Sequence, residues 1–323
     1  MLTPADILLA RRRITGIAYP TPLEYSHPIS AYTGAEVYLK LECAQVTGSF
    51  KVRGATNALL SGGGHWPVVA CSAGNHALGV AHAAAVLGIE ATLVLPNDVS
   101  SAKLAALRRY PAQIVIAEGE YDEAELLALR LASEENLRFI SPYNHPEVIA
   151  GQGTVGLEML EQLPNAEVLL VSVGGGGLIS GIALWAKSIN PAIRVVGVQA
   201  EQSAAMLAAL QAGQLVTVAS NPTLADSLAG NLEPDAITFP MVQQLVDLVV
   251  SVGEEPIAAA MRYMLQEHQL VVEGAAAVVI AALLQGLIAD LSGRKVIALL
   301  CGRNVSAETI LALASTPQLP AAI

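Results

Sequence analysis

The 323-residue chain is poor in most of the residues that advertise a specialised chemistry. Its three cysteines, Cys43, Cys71 and Cys301, are too few and too scattered for a disulfide framework or a zinc site. Its six histidines form no HExxH and no ligand cluster. Aromatic residues make up 4% of the chain and charged residues 14%, with 28 acidic against 17 basic side chains and a net charge of -11. Nothing in that balance attracts nucleic acid or an anionic membrane surface. Long apolar runs are missing too, although 53% of the residues are hydrophobic and the mean hydropathy is +0.52. The apolar charge-free run 168–186 holds four consecutive glycines, and another, 274–289, is short of the roughly 20 residues a bilayer needs. Buried parallel strands account for the apolar excess better. No GxxxxGK[ST] occurs, and at the glycine run 174–177 the GxGxxG fingerprint fails in register, ending on Ile179 or Ser180. The opening MLTPADILLARRR lacks the charged-then-apolar order of a signal peptide, so a cytoplasmic location is expected.

What is present is an alternation of short apolar runs with helical patterns. Strands are predicted at 67–70, 91–95, 113–117, 168–173, 194–198, 248–252 and 296–300. Helices are predicted at 76–87, 101–109, 122–133, 178–188 and 255–267, punctuated by Pro96, Pro111 and Gly119. Such alternation means βαβ units and parallel sheets. The strands fall in two series, with a change of segment near 139–145, so the fold expected is α/β with two doubly wound domains and a cleft between them.

Five stretches carry candidate chemistry. In TGSFKVRGA, Lys51 and Arg53 stand in what reads as the first turn of a helix running to Leu60, with Ser49 as its N-cap. Two cations there oppose the partial positive charge of a helix N-terminus, a broken local rule that points to function. In VLLVSVGGGGLISG, Gly174, Gly175, Gly176, Gly177 and Leu178 join a strand to a helix, either as a plain tight turn or as a cradle for a monophosphate. In ACSAGNHALG, Ser72, Ala73, Gly74, Asn75 and His76 form either a capped helix start or a turn that grips a carboxylate or phosphate. Cys301 ends the strand of VIALLCGRN, where it is either core packing or, at the carboxyl end of an α/β strand, beside a ligand. Glu273 in VVEGAAAVV is a lone carboxylate, either solvated or buried with a partner.

TGSFKVRGATNAL, SAGNHALGVA, EVIAGQGTVGLEM, SVGGGGLISG and VVEGAAAVV together resemble the fold-type II pyridoxal phosphate enzymes of the serine/threonine dehydratase and serine racemase group. The resemblance runs from Thr21 to Cys301 and implies a tryptophan synthase β-like fold, with a large cofactor domain (1–44 and 139–323) and a small one (45–138). It implies that Lys51 forms a Schiff base with pyridoxal 5'-phosphate, that Phe50 lies beside the pyridine ring and that Asn75 bonds the ring hydroxyl. The glycines and Leu178 resemble the phosphate loop, and residues 72–76 the substrate-carboxylate turn. Cys301 stands where the family usually has a serine or threonine facing the pyridine nitrogen, and Glu273 matches a glutamate near the cofactor. A Schiff-base lysine must be neutral to attack, and burial with nearby positive charge, here Arg53, is expected to lower its pKa.

The activity implied is ammonia-lyase: water leaves a β-hydroxy amino acid such as L-threonine or L-serine, giving a 2-oxo acid and ammonia. Ala73 replaces the serine that serves racemases as a second base, which disfavours racemization. Gln199 and Ala205 stand where the family has divalent-metal carboxylates, so no metal is expected, with Glu201 close by. CGRN replaces SGGN, and ADSLAG replaces ADGLA. Arg303 either meets a second carboxylate of the substrate or faces solvent or a subunit contact. The first alternative allows a specialised substrate, hydroxyectoine-derived or 3-hydroxyaspartate. β-Replacement is disfavoured because SFKVR, SAGNH and GGGGL differ from that group's motifs, and a non-catalytic cofactor-binding sensor is the rival of another class. A homodimer or tetramer is expected by analogy. The short stretch after CGRN leaves no room for a regulatory domain, so feedback by isoleucine is not expected.

Overall fold

The computed structural model describes residues 2–63, 66–97 and 99–315. The strands among them are β1 (Leu23–Tyr25), β2 (Glu36–Lys40), β3 (Val68–Cys71), β4 (Ala91–Leu95), β5 (Gln113–Ile116), β6 (Arg138–Phe139), β7 (Val168–Ser172), β8 (Arg194–Ala200), β9 (Leu248–Val252) and β10 (Lys295–Leu299). They form a six-stranded sheet in the order β1-β2-β10-β7-β8-β9 and a four-stranded sheet in the order β5-β4-β3-β6. Every pairing is parallel except that of β1 with β2. Largely apolar strands such as VLLVS and ATLVL are buried along their length, as strands covered on both faces must be.

The smaller sheet shows how the pattern works. Val68 and Ala70 of β3 turn to one core with the helices Lys51–Ser61 and Asn75–Leu87, while Val69 and Cys71 turn to the other with helix Tyr121–Glu134. Successive side chains of a strand point to opposite faces, so an unbroken apolar run fills both layers. Helix Pro146–Gln162 bridges the units: Val148 enters the smaller core, and Val155, Met159 and Leu160 the larger.

The apolar stretch after Glu273 is a helix, Gly274–Leu284, buried from Gly274 to Leu283, so its all-round hydrophobicity reflects a central place in the larger core. Among the described residues no helix is long and apolar enough to cross a membrane. The expected strands and helices are present with ends shifted by one or two residues. One local expectation fails. The N-cap of helix Lys51–Ser61 is Phe50, with no side-chain cap, and the Ser49 hydroxyl is buried without a partner. Ser49 is instead drawn into an antiparallel bridge with Gly302, which fixes its backbone away from the capping position.

Candidate active site

The predicted residues converge because their loops follow the carboxyl ends of parallel strands, where open α/β sheets bind ligands. Asn75 follows β3, the glycines follow β7 and Cys301 follows β10. One cavity is lined by Phe50, Lys51, Asn75, Gly174 to Gly177, Leu178 and Cys301, with Pro142, Tyr143, Ser172, Ser227 and Leu228 completing the wall. None of the last five was named as a site residue from sequence, although Ser227 is the position at which ADSLAG departs from ADGLA. Pro142 contributes a backbone carbonyl and Tyr143 a packing ring, neither of which leaves a local signature.

Lys51 opens its helix, and its Nζ donates to the Pro142 carbonyl at 2.8 Å and sits 5.4 Å from the centre of the Phe50 ring. Burial lowers its pKa to about 8, opposed by Cys301 and Glu273 only where those groups are ionised. Arg53 has no part in this, contrary to the expectation from sequence. Two residues further along a helix, it points elsewhere and is saturated by Glu42 and Glu158 in a fully buried ion cluster.

The glycine loop is a cradle of free donors. The N–H groups of Gly174 to Leu178 find no acceptor among the described residues, as at any uncapped helix start. Gly176 caps helix Gly177–Ile189 in the left-handed region, at φ +87°. A side chain on Gly175 would run into the Tyr143 ring, so the tight-turn and cradle readings both apply. Thr238 Oγ1 donates to the Gly175 carbonyl at 2.6 Å and holds the loop from behind.

Asn75 Nδ2 donates to Glu273 Oε1 at 2.8 Å, and Asn75 Oδ1 accepts from Asn304 Nδ2 at 2.6 Å. Glu273 therefore sits behind Asn75, outside the cavity wall, as a buried carboxyl with a partner. Burial, with Asp226 nearby, raises its pKa to about 8. Burial likewise pushes the Cys301 thiol far above its ordinary value, so the group is neutral. Ser172, whose hydroxyl has no oxygen or nitrogen partner among the described residues, is its neighbour in the wall.

The remaining predicted residues lie around this centre. Ser72, Ala73 and Gly74 form a half-buried turn in which the Gly74 N–H donates to Ser72 Oγ at 3.1 Å. His76 is buried, its Nε2 donating to the Ile140 carbonyl at 2.8 Å, and burial lowers its pKa to about 3, so it is a neutral structural group. Arg303 is exposed and outside the cavity wall, and its side chain makes no hydrogen bond or ion pair among the described residues. Its backbone is engaged instead: the N–H donates to the Gly48 carbonyl at 2.9 Å and the carbonyl accepts from the Val305 N–H at 2.9 Å. Gln199 accepts from the Leu207 N–H at 2.7 Å, the bond of a helix start.

The donor set fits a phosphorylated aldehyde: five free N–H groups for the phosphate, an amine that burial disposes to be neutral, and a neutral thiol facing the same space. Comparison with known proteins agrees. The family model described as "Pyridoxal-phosphate dependent enzyme" matches residues 14–302. An L-threonine ammonia-lyase of Thermotoga maritima is 44% identical over 317 residues, 96% of this chain and 77% of the relative. A catabolic L-threonine dehydratase of Escherichia coli is 40% identical over 309 residues, 94% of each chain. Among solved structures, maize serine racemase aligns with a TM-score of 0.91 at 34% identity over 96% of each chain. The processed form of threonine deaminase isoform 2 from Solanum lycopersicum aligns with a TM-score of 0.89 at 33% identity, over 96% of this chain and 90% of its own.

Proposed function

Because the chain belongs to the family of pyridoxal-phosphate dependent enzymes, we propose that it is an ammonia-lyase that removes water from L-threonine or L-serine and yields a 2-oxo acid and ammonia. The observation that carries this reading is the meeting, in one cavity, of the Lys51 amine with the free donors of Gly174 to Leu178. The cofactor, when bound, supplies the electron withdrawal that makes the substrate Cα proton acidic and the β-hydroxyl able to leave. Lys51 would hold it covalently, the glycine loop its phosphate, Asn75 its ring hydroxyl and Cys301 its ring nitrogen.

Lys51 Nζ then acts as the base for the Cα proton, a role open only to its neutral form. A neutral Cys301 would leave a ring nitrogen held beside it uncharged, which supports loss of the β-hydroxyl. The turn from Ser72 to His76 is assigned to the substrate carboxylate through its backbone N–H groups. Ala73 offers no hydroxyl there for a second base, which supports elimination over racemization. The exposed, unengaged Arg303 supports a substrate with one carboxylate over a second acidic group.

The division into a large domain, 1–44 and 139–323, and a small one, 45–138, belongs to the same reading, supported by the separate cores of the two sheets. A cytoplasmic homodimer or tetramer is also part of it, which light scattering of the purified protein tests. The functional test is the absorption spectrum of the protein with pyridoxal 5'-phosphate, with and without a panel of β-hydroxy amino acids, while released 2-oxo acid is assayed. A cofactor band lost in Lys51→Ala, with 2-oxo acid from threonine or serine, is expected. A band without product from any panel member would favour a sensor, and no band would sink the assignment of Lys51.

A further inference from the structure

A carboxamide can offer a ligand either N–H donors or a carbonyl acceptor. The neighbours of Asn75 decide which it offers. The Thr47 carbonyl can only accept, so the Asn304 amide must turn its nitrogen toward it, and Nδ2 lies 2.9 Å away. The same Nδ2 reaches Asn75 Oδ1 at 2.6 Å. Two amide nitrogens cannot bond each other, so Asn75 must turn its carbonyl to Asn304. The carbonyl end of Asn304 is seated over Gly48, which has φ +74° and where a side chain would collide with it. The Asn304 amide is therefore fixed on both edges.

Asn75 Nδ2 then has two N–H groups, one donated to Glu273 Oε1 at 2.8 Å and one without an acceptor among the described residues. We propose that Asn304, which does not line the cavity, is a positioning residue that makes Asn75 a donor and never an acceptor toward the cofactor's ring oxygen, favouring the ionised form of that oxygen. The proposal rests on reading the cavity as the cofactor site. Asn304 is needed because Glu273 alone would permit either face. With burial raising its pKa to about 8, Glu273 holds a proton near neutrality and could donate to the Asn75 carbonyl instead.

The test reconstitutes apoprotein of the wild type, Asn304→Ala and Asn304→Asp with pyridoxal 5'-phosphate and records cofactor affinity and the absorption spectrum of the bound cofactor across the neutral pH range. Thermal unfolding of each apoprotein checks the fold. Loss of one buried hydrogen bond predicts about fivefold to tenfold weaker cofactor binding. In both variants the balance of absorption bands should also shift toward the un-ionised ring hydroxyl, more in Asn304→Asp, whose carboxylate invites the Asn75 nitrogen to turn round. Wild-type affinity and spectrum would overturn the proposal, as would weaker binding with an unchanged spectrum, which marks a merely structural residue. Asn304→Ser, which keeps one donor, is read the same way if the other two do not fold, with a smaller shift expected. Failure of the wild type itself to bind the cofactor would instead overturn the functional reading.

Discussion

Replacing Arg53 by methionine tests whether the second cation of TGSFKVRGA serves the chemistry or the fold. Its guanidinium meets Glu42 through Nε and Nη2, each at 2.8 Å, and Glu158 through Nη1 and Nη2 at 2.7 and 2.9 Å. Thr154 Oγ1 and the Tyr19 carbonyl accept further bonds at 3.2 and 3.1 Å. Lys40 is the other buried cation, 2.8 Å from Glu158, and burial lowers its pKa, so it is a weak substitute. Arg53→Met keeps much of the volume but removes the cation paired with Glu42 and leaves Glu158 to Lys40 and the partly exposed Arg11. Breaking a buried pair in this way costs roughly 3–5 kcal/mol, a large share of the roughly 5–15 kcal/mol a typical domain has.

The loss should depend on pH. Burial alone would raise Glu158, but its bonds to Arg53 hold it below the ordinary carboxyl value. Its contribution is therefore present above that ordinary value and is lost as the pH falls through the depressed one. In the variant Glu158, without the Arg53 bonds that hold its pKa down, takes up a proton more readily on acidification and the penalty relaxes. Denaturant unfolding of both apoproteins, followed by Trp66 and Trp185 fluorescence, should show a gap that is widest near neutrality and narrower toward about pH 5. A gap below about 1 kcal/mol at neutral pH, or one that acid does not narrow, would refute the assignment of Arg53 to a buried, paired role.

Attachment of the cofactor to apoprotein needs neutral Lys51, so its rate should rise about tenfold per pH unit up to about pH 8 and level off above it, and vanish in Lys51→Ala. Stopped-flow absorbance checks this, and a pH-independent rate would contradict the lowered pKa. Gly175→Ala puts a methyl into the Tyr143 ring, whose hydroxyl is tied by the Glu233 N–H at 2.8 Å. Overpacking of this kind costs about 1–3 kcal/mol, so both melting temperature and cofactor affinity should fall, and retention of both would refute the packing. Burial lowers His76 from 6.5 to about 3, so its contribution is complete above the unfolded value and is lost as the pH falls between those limits, by about 1.4 kcal/mol per unit. His76→Gln, which keeps a donor for the Ile140 carbonyl, should flatten that part of the stability profile in urea titrations, and an unchanged slope would exclude His76 as its source.

What the sequence made legible was local. Strand and helix periods, the run at Gly174 to Gly177 and a lysine at a helix start each lie within a few neighbouring residues, and the structure brings their loops to one cavity. What it hid was pairing across the chain. Arg53 read as a charge beside Lys51 because its partners Glu42 and Glu158 are distant in sequence, and Asn304 drew no attention because its work is done on Asn75. The same limit explains Ser49, a plausible cap until its backbone is seen to pair with Gly302.

That pairing also changes how CGRN should be understood. The Phe50 N–H donates to the Cys301 carbonyl at 3.1 Å, and the Arg303 N–H to the Gly48 carbonyl at 2.9 Å, so the segment leading into Lys51 is paired backbone to backbone with the segment carrying the departures from the family pattern. Gly302 lacks a side chain because one would strike the Glu273 carboxyl, and Arg303 can differ freely because its side chain is exposed while only its backbone holds the loop. The glycine and the asparagine of that motif are thus constrained by contact, as is the buried cysteine, which lines the cavity with Lys51. The arginine that looked most like a clue to the substrate is the residue of the four that this geometry leaves least constrained.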